Sequence, residues 1–348
     1  MEAHLTKGGW LPAAIAGRYP VVRWIYAGEA SLQQPFFESS VAGFRGGNPP
    51  APEIETDLSP LLAAASALPP VSPAGVILHV SRCGSTLVLN ALKSAEGAVA
   101  ISEAQPFSRA MELAAAPSRY WAARGGALLD SLVRVFACYQ GSPHKHVVIK
   151  CAADGVLAVG AMRALWPGVP LLVLIREPVE VIVSNLRTPP RWLAKWGGDL
   201  QRHPLGDPPV EVTSRPEALC AWSVGRFCAE ALNAVDERCM VIDYEELCPE
   251  RVEEIAAFFG LQFSSAGIDS VRRAFDTHAK NGRPFVADAA AKREGATEQV
   301  RRDAETWAAE PYALLKRCAA RADSSPSTAN TDGDDARLEP QRHSSAAL

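Results

Sequence analysis

The stretch that most restricts the fold is Val76-Ile77-Leu78-His79-Val80-Ser81-Arg82-Cys83-Gly84-Ser85-Thr86, followed at once by Leu87-Val88-Leu89-Asn90-Ala91-Leu92. A short apolar run stops in small and cationic residues, and an apolar, helix-compatible segment takes over. The pattern predicts a strand, a tight loop and a helix. Such a loop aims backbone N–H groups and a helix N-terminus at one point, which suits a phosphate or sulfate. Arg82 adds a fixed positive charge, and Ser85 and Thr86 add hydroxyl donors. Taken alone, the stretch also fits an ordinary strand-to-helix turn. It is not a Walker A loop, which needs two glycines and a following Lys-Ser or Lys-Thr. Gly84 stands alone and no lysine follows it, which argues against ordinary ATP or GTP hydrolysis.

The rest of the chain alternates in the same way. Ala98–Ser102, His146–Lys150, Leu171–Ile175 and Cys239–Asp243 read as further strands. Leu171–Ile175 is continuously apolar, as a parallel strand buried on both faces should be. Between them, Pro106 opens one predicted helix. Apolar residues at 121, 128, 129, 132, 133 and 136 have helical spacing. Further helices are expected over 156–165, from Pro178, over 216–236, over 250–259 up to Gly260, and over 298–317. Strands alternating with helices predict an α/β fold of three layers, helix–sheet–helix, around a central parallel sheet.

Pro-rich breakers at Asn48–Pro52 and Leu68–Pro73 set off residues 1–73 as an N-terminal extension. Within it Val21–Tyr26 reads as a strand and Leu58–Leu68 as a short helix. The α/β domain is expected over 74–321, with 188–215 as a long loop holding short helical pieces and 276–293 as a basic, irregular stretch. Residues 322–348 are rich in Ser, Thr, Asp and Pro, and are expected to form a disordered tail.

With 348 residues and 48% hydrophobic content the chain can bury a sizeable core. A net charge of −4 gives no global field for nucleic acid or an anionic membrane, so any basic site must be local. No run of about 18 apolar residues predicts a membrane span. The N-terminus lacks the basic and apolar regions of a signal peptide. Eight cysteines without a C-x-x-C pair read as reduced thiols of a cytoplasmic protein. His79 alternates with apolar strand residues and reads as a satisfied core histidine. His144-x-His146 and His203 do not compose a metal site, and no metal is expected.

A second anion-binding candidate follows the strand at 171–175: Arg176-Glu177-Pro178, with Ser184 eight residues after Arg176. Arg176 falls at the C-terminal edge of its strand, where ligands bind in open α/β sheets. This pair of motifs, in this order, resembles the sulfotransferases that use 3′-phosphoadenosine 5′-phosphosulfate, a P-loop-like fold. Tyr244-Glu245-Glu246-Leu247 is similar to the Tyr-Glu-Asp-Leu that follows that family's last strand. The resemblance covers about residues 75–260. Glu177 stands where Asp is common.

The resemblance implies that Ser81, Arg82, Cys83, Gly84, Ser85 and Thr86 wrap the 5′-phosphosulfate, and that Arg176 and Ser184 hold the 3′-phosphate, with Tyr244 nearby. One or two of the cations at 280, 283, 292 and 293 are expected to reach that phosphate. A nucleotide without a 3′-phosphate is expected to leave Arg176 unpaired, which would discriminate donors. One branch of the family uses a His base after a central strand, where this chain has Ala152. Another, resembling the tyrosylprotein and some bacterial enzymes, uses a Glu beyond the second strand, where Glu103 stands. Glu103 is therefore the candidate general base for a hydroxyl or amine acceptor. A surface carboxylate at a helix start is the alternative for it. Arg82 would neutralise the leaving phosphate oxygen. Lys150 is a second candidate for that task, or else a surface lysine at a strand end. Two other functions fit the same stretch: a P-loop nucleotide phosphotransferase, and a nucleotide-binding protein without turnover.

Overall fold

The computed structural model describes residues 8–17, 20–140, 146–196, 205, 207–280, 282–284 and 288–323. Among the described residues eight strands form two sheets. β1 (Trp10–Ala16), β2 (Val21–Tyr26) and β3 (Glu53–Thr56) make an antiparallel sheet in the order β1-β2-β3. β4 (Gly75–His79), β5 (Ala98–Ser102), β6 (His146–Lys150), β7 (Leu171–Ile175) and β8 (Cys239–Asp243) make a parallel sheet in the order β5-β6-β4-β7-β8.

Every residue of β4 and of β7 is buried. Successive side chains of a strand point to opposite faces, so both faces of this sheet are covered by helices. The fold is α/β in three layers, as the alternating pattern predicts. The chain leaves β4 for the edge at β5, returns to β6, and then crosses to β7 on the other side of β4. The loop after β4 therefore opens at the point where the direction of winding changes, which is where such sheets bind ligands.

Local chemistry sets the helix ends. Pro178 and Pro216 each open a helix, Pro178–Arg187 and Pro216–Leu232. The helix Pro249–Phe258 ends just before Gly260, which takes φ +67°. The helix expected over 298–317 is two, Glu298–Trp307 and Ala309–Asp323. Pro311 has no N–H to give the Trp307 carbonyl, so the ladder breaks there. That carbonyl packs instead on Gly225, where a Cβ would lie 1.9 Å from it.

Three other expectations are corrected. A 3₁₀ turn, Ala153–Ala158, precedes the α-helix Val159–Leu165, so the helix begins later than position 156. The helix Ser265–Phe275 was not foreseen. The stretch 276–293 is not wholly irregular, since Ala289–Glu294 is helical. Within 188–215, the described pieces include the short helices Arg191–Trp196 and Val210–Thr213. Residues 197–204 and 206, with His203, lie outside the described residues, as do His144, residues 1–7 and the tail from 324. None of the eight cysteines is in a disulfide. Among the described residues, no helix is long and apolar enough to cross a membrane.

The N-terminal unit has three strands where one was expected, and the short helix expected at Leu58–Leu68 is Ser59–Ser66. It is tied to the α/β domain through Gln105. The Gln105 side chain accepts from the Ile15 N–H and donates to the Ile15 carbonyl, both at 2.8 Å. The Gln105 backbone N–H in turn donates to Glu38 at 2.9 Å. One amide thus extends the edge of β1 as a neighbouring strand would, and satisfies two backbone groups at once.

Candidate active site

A cleft of about 1600 Å³ opens at the C-terminal edge of the parallel sheet. Its walls come from the ends of β4, β5, β7 and β8 and from the N-terminal unit, which supplies Ile15, Phe36 and Glu38. The loop residues 81–86 all line it. Ser81, Arg82 and Glu103 are the non-glycine residues with positive φ among those described, at 77°, 53° and 50°. A left-handed backbone costs such residues about 1–3 kcal/mol each, and such strain gathers at functional sites. All three strained residues fall in this one cleft. Gly84, after Cys83, is left-handed again at φ +81°, and the Tyr244 and Leu247 side chains fill the space where a Cβ would stand. No side chain caps the helix Ser85–Leu92, so the N–H groups of its first turn point to the cleft without a protein acceptor from a cap.

Beneath the loop lies a buried polar cluster. The Ser81 N–H donates to His79 Nδ1 at 3.1 Å. His79 Nε2 must then carry the proton, and it donates to the Cys151 carbonyl at 3.0 Å. Burial, with the Lys150 charge nearby, lowers the His79 pKa and keeps the ring neutral. The Lys150 side chain is fully buried, lies 3.4 Å from the Thr86 hydroxyl and pairs with Glu103. Burial alone would raise the Glu103 carboxyl. The Lys150 charge outweighs it, with the His79 ring alongside, and holds Glu103 well below the usual carboxylate range. Lys280 reaches the same place. It shares the Phe36 ring with Lys150, at 5.7 and 5.4 Å from the centroid. Burial, then the charges of Arg82 and Lys150, push Lys280 down to about 8.

Arg82 leans the other way. Its Nε donates to Asn185 Oδ1 at 3.1 Å and its Nη2 to the Thr188 carbonyl. Asn185, fully buried, also accepts from the Ser81 hydroxyl at 3.1 Å. The helix after β7 and its C-cap therefore hold the side chains of both strained loop residues, Ser81 and Arg82.

Arg176 is 5% exposed. Its Nη1 donates to the Arg82 carbonyl at 3.1 Å, and its guanidinium lies 3.9 Å from the Tyr244 ring centroid. Its Nε and Nη2 grip Glu180 at 2.7 and 2.6 Å. Its Nη2 also lies 3.5 Å from Asp288, which Lys292 reaches at 2.8 Å. Arg293 pairs with Glu180 at 3.0 Å and with Glu245 at 3.5 Å.

No protein-family model matches the chain, and no curated protein does. Solved structures that align with it include a sulfotransferase from Alicyclobacillus acidocaldarius, at 16% identity and TM-score 0.41, covering 72% of this chain and 96% of that one. Another is the sulfotransferase domain from the curacin biosynthetic pathway, at 16% and 0.42, covering 74% and 99%. A third is a sulfotransferase from Mycobacterium avium, at 14% and 0.44, covering 70% and 77%. At these values the likeness carries no function to this chain.

The residues singled out in the sequence converge. Ser81, Arg82, Cys83, Gly84, Ser85, Thr86, Glu103, Arg176, Ser184 and Tyr244 line the one cleft. Lys150 lies just beneath it and is no surface lysine, while Glu103 is no freely solvated carboxylate. The cations of the 280–293 stretch divide: Lys280 joins the loop end, Lys292 and Arg293 join Arg176, and Arg283 does not line the cleft. One expectation fails. Arg176 is not left unpaired without a 3′-phosphate, because Glu180 and Asp288 already face it. Trp192 packs edge-on against Phe227, with ring centroids 5.1 Å apart, at the cleft wall. Asn185, Phe36 and Glu38 were missed. Asn185 follows Ser184 in the sequence, but its partners lie more than a hundred residues away. Among the described residues no group of His, Cys, Asp and Glu has the makings of a metal site.

Proposed function

We propose that the protein transfers a sulfuryl group from 3′-phosphoadenosine 5′-phosphosulfate to a hydroxyl or amine acceptor. The observation that carries the reading is the Arg176–Arg82 contact at 3.1 Å. It joins two candidate anion-binding segments, 94 residues apart in sequence, across one cleft that Glu103 lines, with Lys150 paired to it from beneath. Uncapped N–H groups and the charges of Arg82, Lys150 and Lys280 suit a phosphosulfate at the loop end. Arg176, Lys292 and Ser184 suit a second phosphate.

The donor supplies an activated sulfur–oxygen bond. Glu103 takes the proton of the acceptor as its oxygen or nitrogen bonds to sulfur. The electron pair of the broken bond stays on the bridging phosphate oxygen, where Arg82 and Lys150 neutralise it. Lys150 keeps Glu103 ionised, as a base must be, and also weakens it as a base. A donor anion that draws the Lys150 charge toward itself restores the basicity of Glu103. A nucleotide phosphotransferase is the second reading, favoured by Lys150 beside Thr86, which supplies the cation that the loop sequence lacks.

Calorimetry with 3′-phosphoadenosine 5′-phosphate and with ADP separates the two. Tight binding of the 3′-phosphorylated nucleotide alone, lost in Arg176→Ala, is expected. Equal binding of both nucleotides would return the phosphotransferase to the front.

A further inference from the structure

The two ends of the cleft differ in charge. At the loop end Arg82, Lys150 and Lys280 face Glu103, with His79 neutral, which leaves positive charge to spare. At the other end the ion pairs form a closed set. Among the described residues Arg176, Lys292, Arg293 and Lys316 are matched by Glu180, Asp288, Glu245 and Asp243. A phosphate arriving at this end finds its cations already neutralised. One of the carboxylates must give way, or the site becomes strongly negative.

The geometry singles out which one. Glu180 is 2% exposed and gripped twice by Arg176, so it cannot leave. Glu245 meets Arg293 and Lys316 but not Arg176 or Lys292. Asp288 is half exposed on the cleft wall, lies between Arg176 and the buried Lys292, and makes no capping bond to its own helix. It also faces Tyr244. Its carboxylate sits where an incoming anion would meet both Arg176 and Lys292.

We propose that Asp288 is an internal counter-anion of the Arg176–Lys292 site, displaced by the phosphate of the bound nucleotide, and so sets how tightly and how selectively the site takes that phosphate. This rests on the sulfotransferase reading for the identity of the phosphate, the 3′-phosphate of the donor. Removing the charge of Asp288 frees Lys292 and leaves Arg176 held by Glu180 alone, without touching the loop end.

The test is calorimetry of 3′-phosphoadenosine 5′-phosphate and of ADP against wild type, Asp288→Asn and Asp288→Ala at one ionic strength. Both variants are expected to bind the 3′-phosphorylated nucleotide about tenfold more tightly, as loss of one like charge a few ångströms away predicts. ADP affinity is expected not to change. Because Lys292 is buried and Asp288 half exposed, both variants should stay folded but melt somewhat below the wild type. Unchanged or weaker binding of the 3′-phosphorylated nucleotide in both variants would overturn the assignment and make Asp288 a support for Lys292. If wild type binds the two nucleotides alike, the donor reading fails separately. Asp288 is then judged on whichever nucleotide binds: tightening upholds it, no change overturns it.

Discussion

Lys150→Met tests the buried pair on which the site is built. Methionine keeps the length and apolar stem of the lysine, so packing changes little. It removes the charge that offsets the cost of burying Glu103. Breaking a buried pair by deleting one partner costs about 3–5 kcal/mol. Lys150 is fully buried, but Glu103 is 27% exposed and can draw some water, so the low end applies, about 3 kcal/mol. Glu103→Gln leaves Lys150 without its carboxylate and is expected to cost a similar amount. The double variant has no charge left to strand and should lose about 1–2 kcal/mol, well short of the sum.

The pH dependence has a definite sign. In the wild type the Glu103 carboxyl is held below its unfolded value of about 4.3, so its contribution is present above that pH and lost as pH falls. In Lys150→Met burial acts largely unopposed and raises the carboxyl above the unfolded value. The penalty is then present at neutral pH and fades in acid. Urea unfolding at pH 7.5 and pH 4.5 reads both effects. Single losses that add in the double variant, or a gap between wild type and Lys150→Met that does not narrow in acid, would refute the reasoning.

Two further outcomes follow from other contacts. With Lys280 titrating at about 8, nucleotide affinity measured by calorimetry should fall about tenfold between pH 7 and pH 9, and Lys280→Met should flatten that dependence; an equally steep profile in the variant would place the titration elsewhere. Gln105→Ala strips the Ile15 N–H and carbonyl of their partners, and should cost about 2 kcal/mol in urea while speeding proteolysis within residues 8–73; unchanged cleavage would show that the N-terminal unit is held by its apolar contacts alone.

Much of the scaffold was legible because its signals are local. Leu171–Ile175 is apolar at every position because each residue is buried, and burial is written residue by residue. Pro178, Pro216 and Gly260 mark helix ends through their own backbone limits. Where the reading failed, the cause was a distant contact in some places and an overlooked local signal in others. β1 pairs with the next strand, Ala16 opposite Val21, whereas β3 joins β2 from farther along the chain, Thr56 opposite Val22. Reading 298–317 as one helix overlooked Pro311, although that signal was present in the sequence.

The candidate site divides along the same line. The residue types of the loop, the Arg after β7 and the Glu after β5 are properties of the sequence, because a strand end followed by small or charged residues has to become a loop at the sheet edge. Which of those loops meet was decided by the strand order β5-β6-β4-β7-β8, which brings residues 82, 103 and 176 to one cleft, with Lys150 just beneath it. Only that convergence pairs Glu103 with Lys150, fixes Arg82 on Asn185 and leaves Arg176 neutralised by Glu180 and Asp288. Charge acts over distances in space, and the sequence states only distances along the chain.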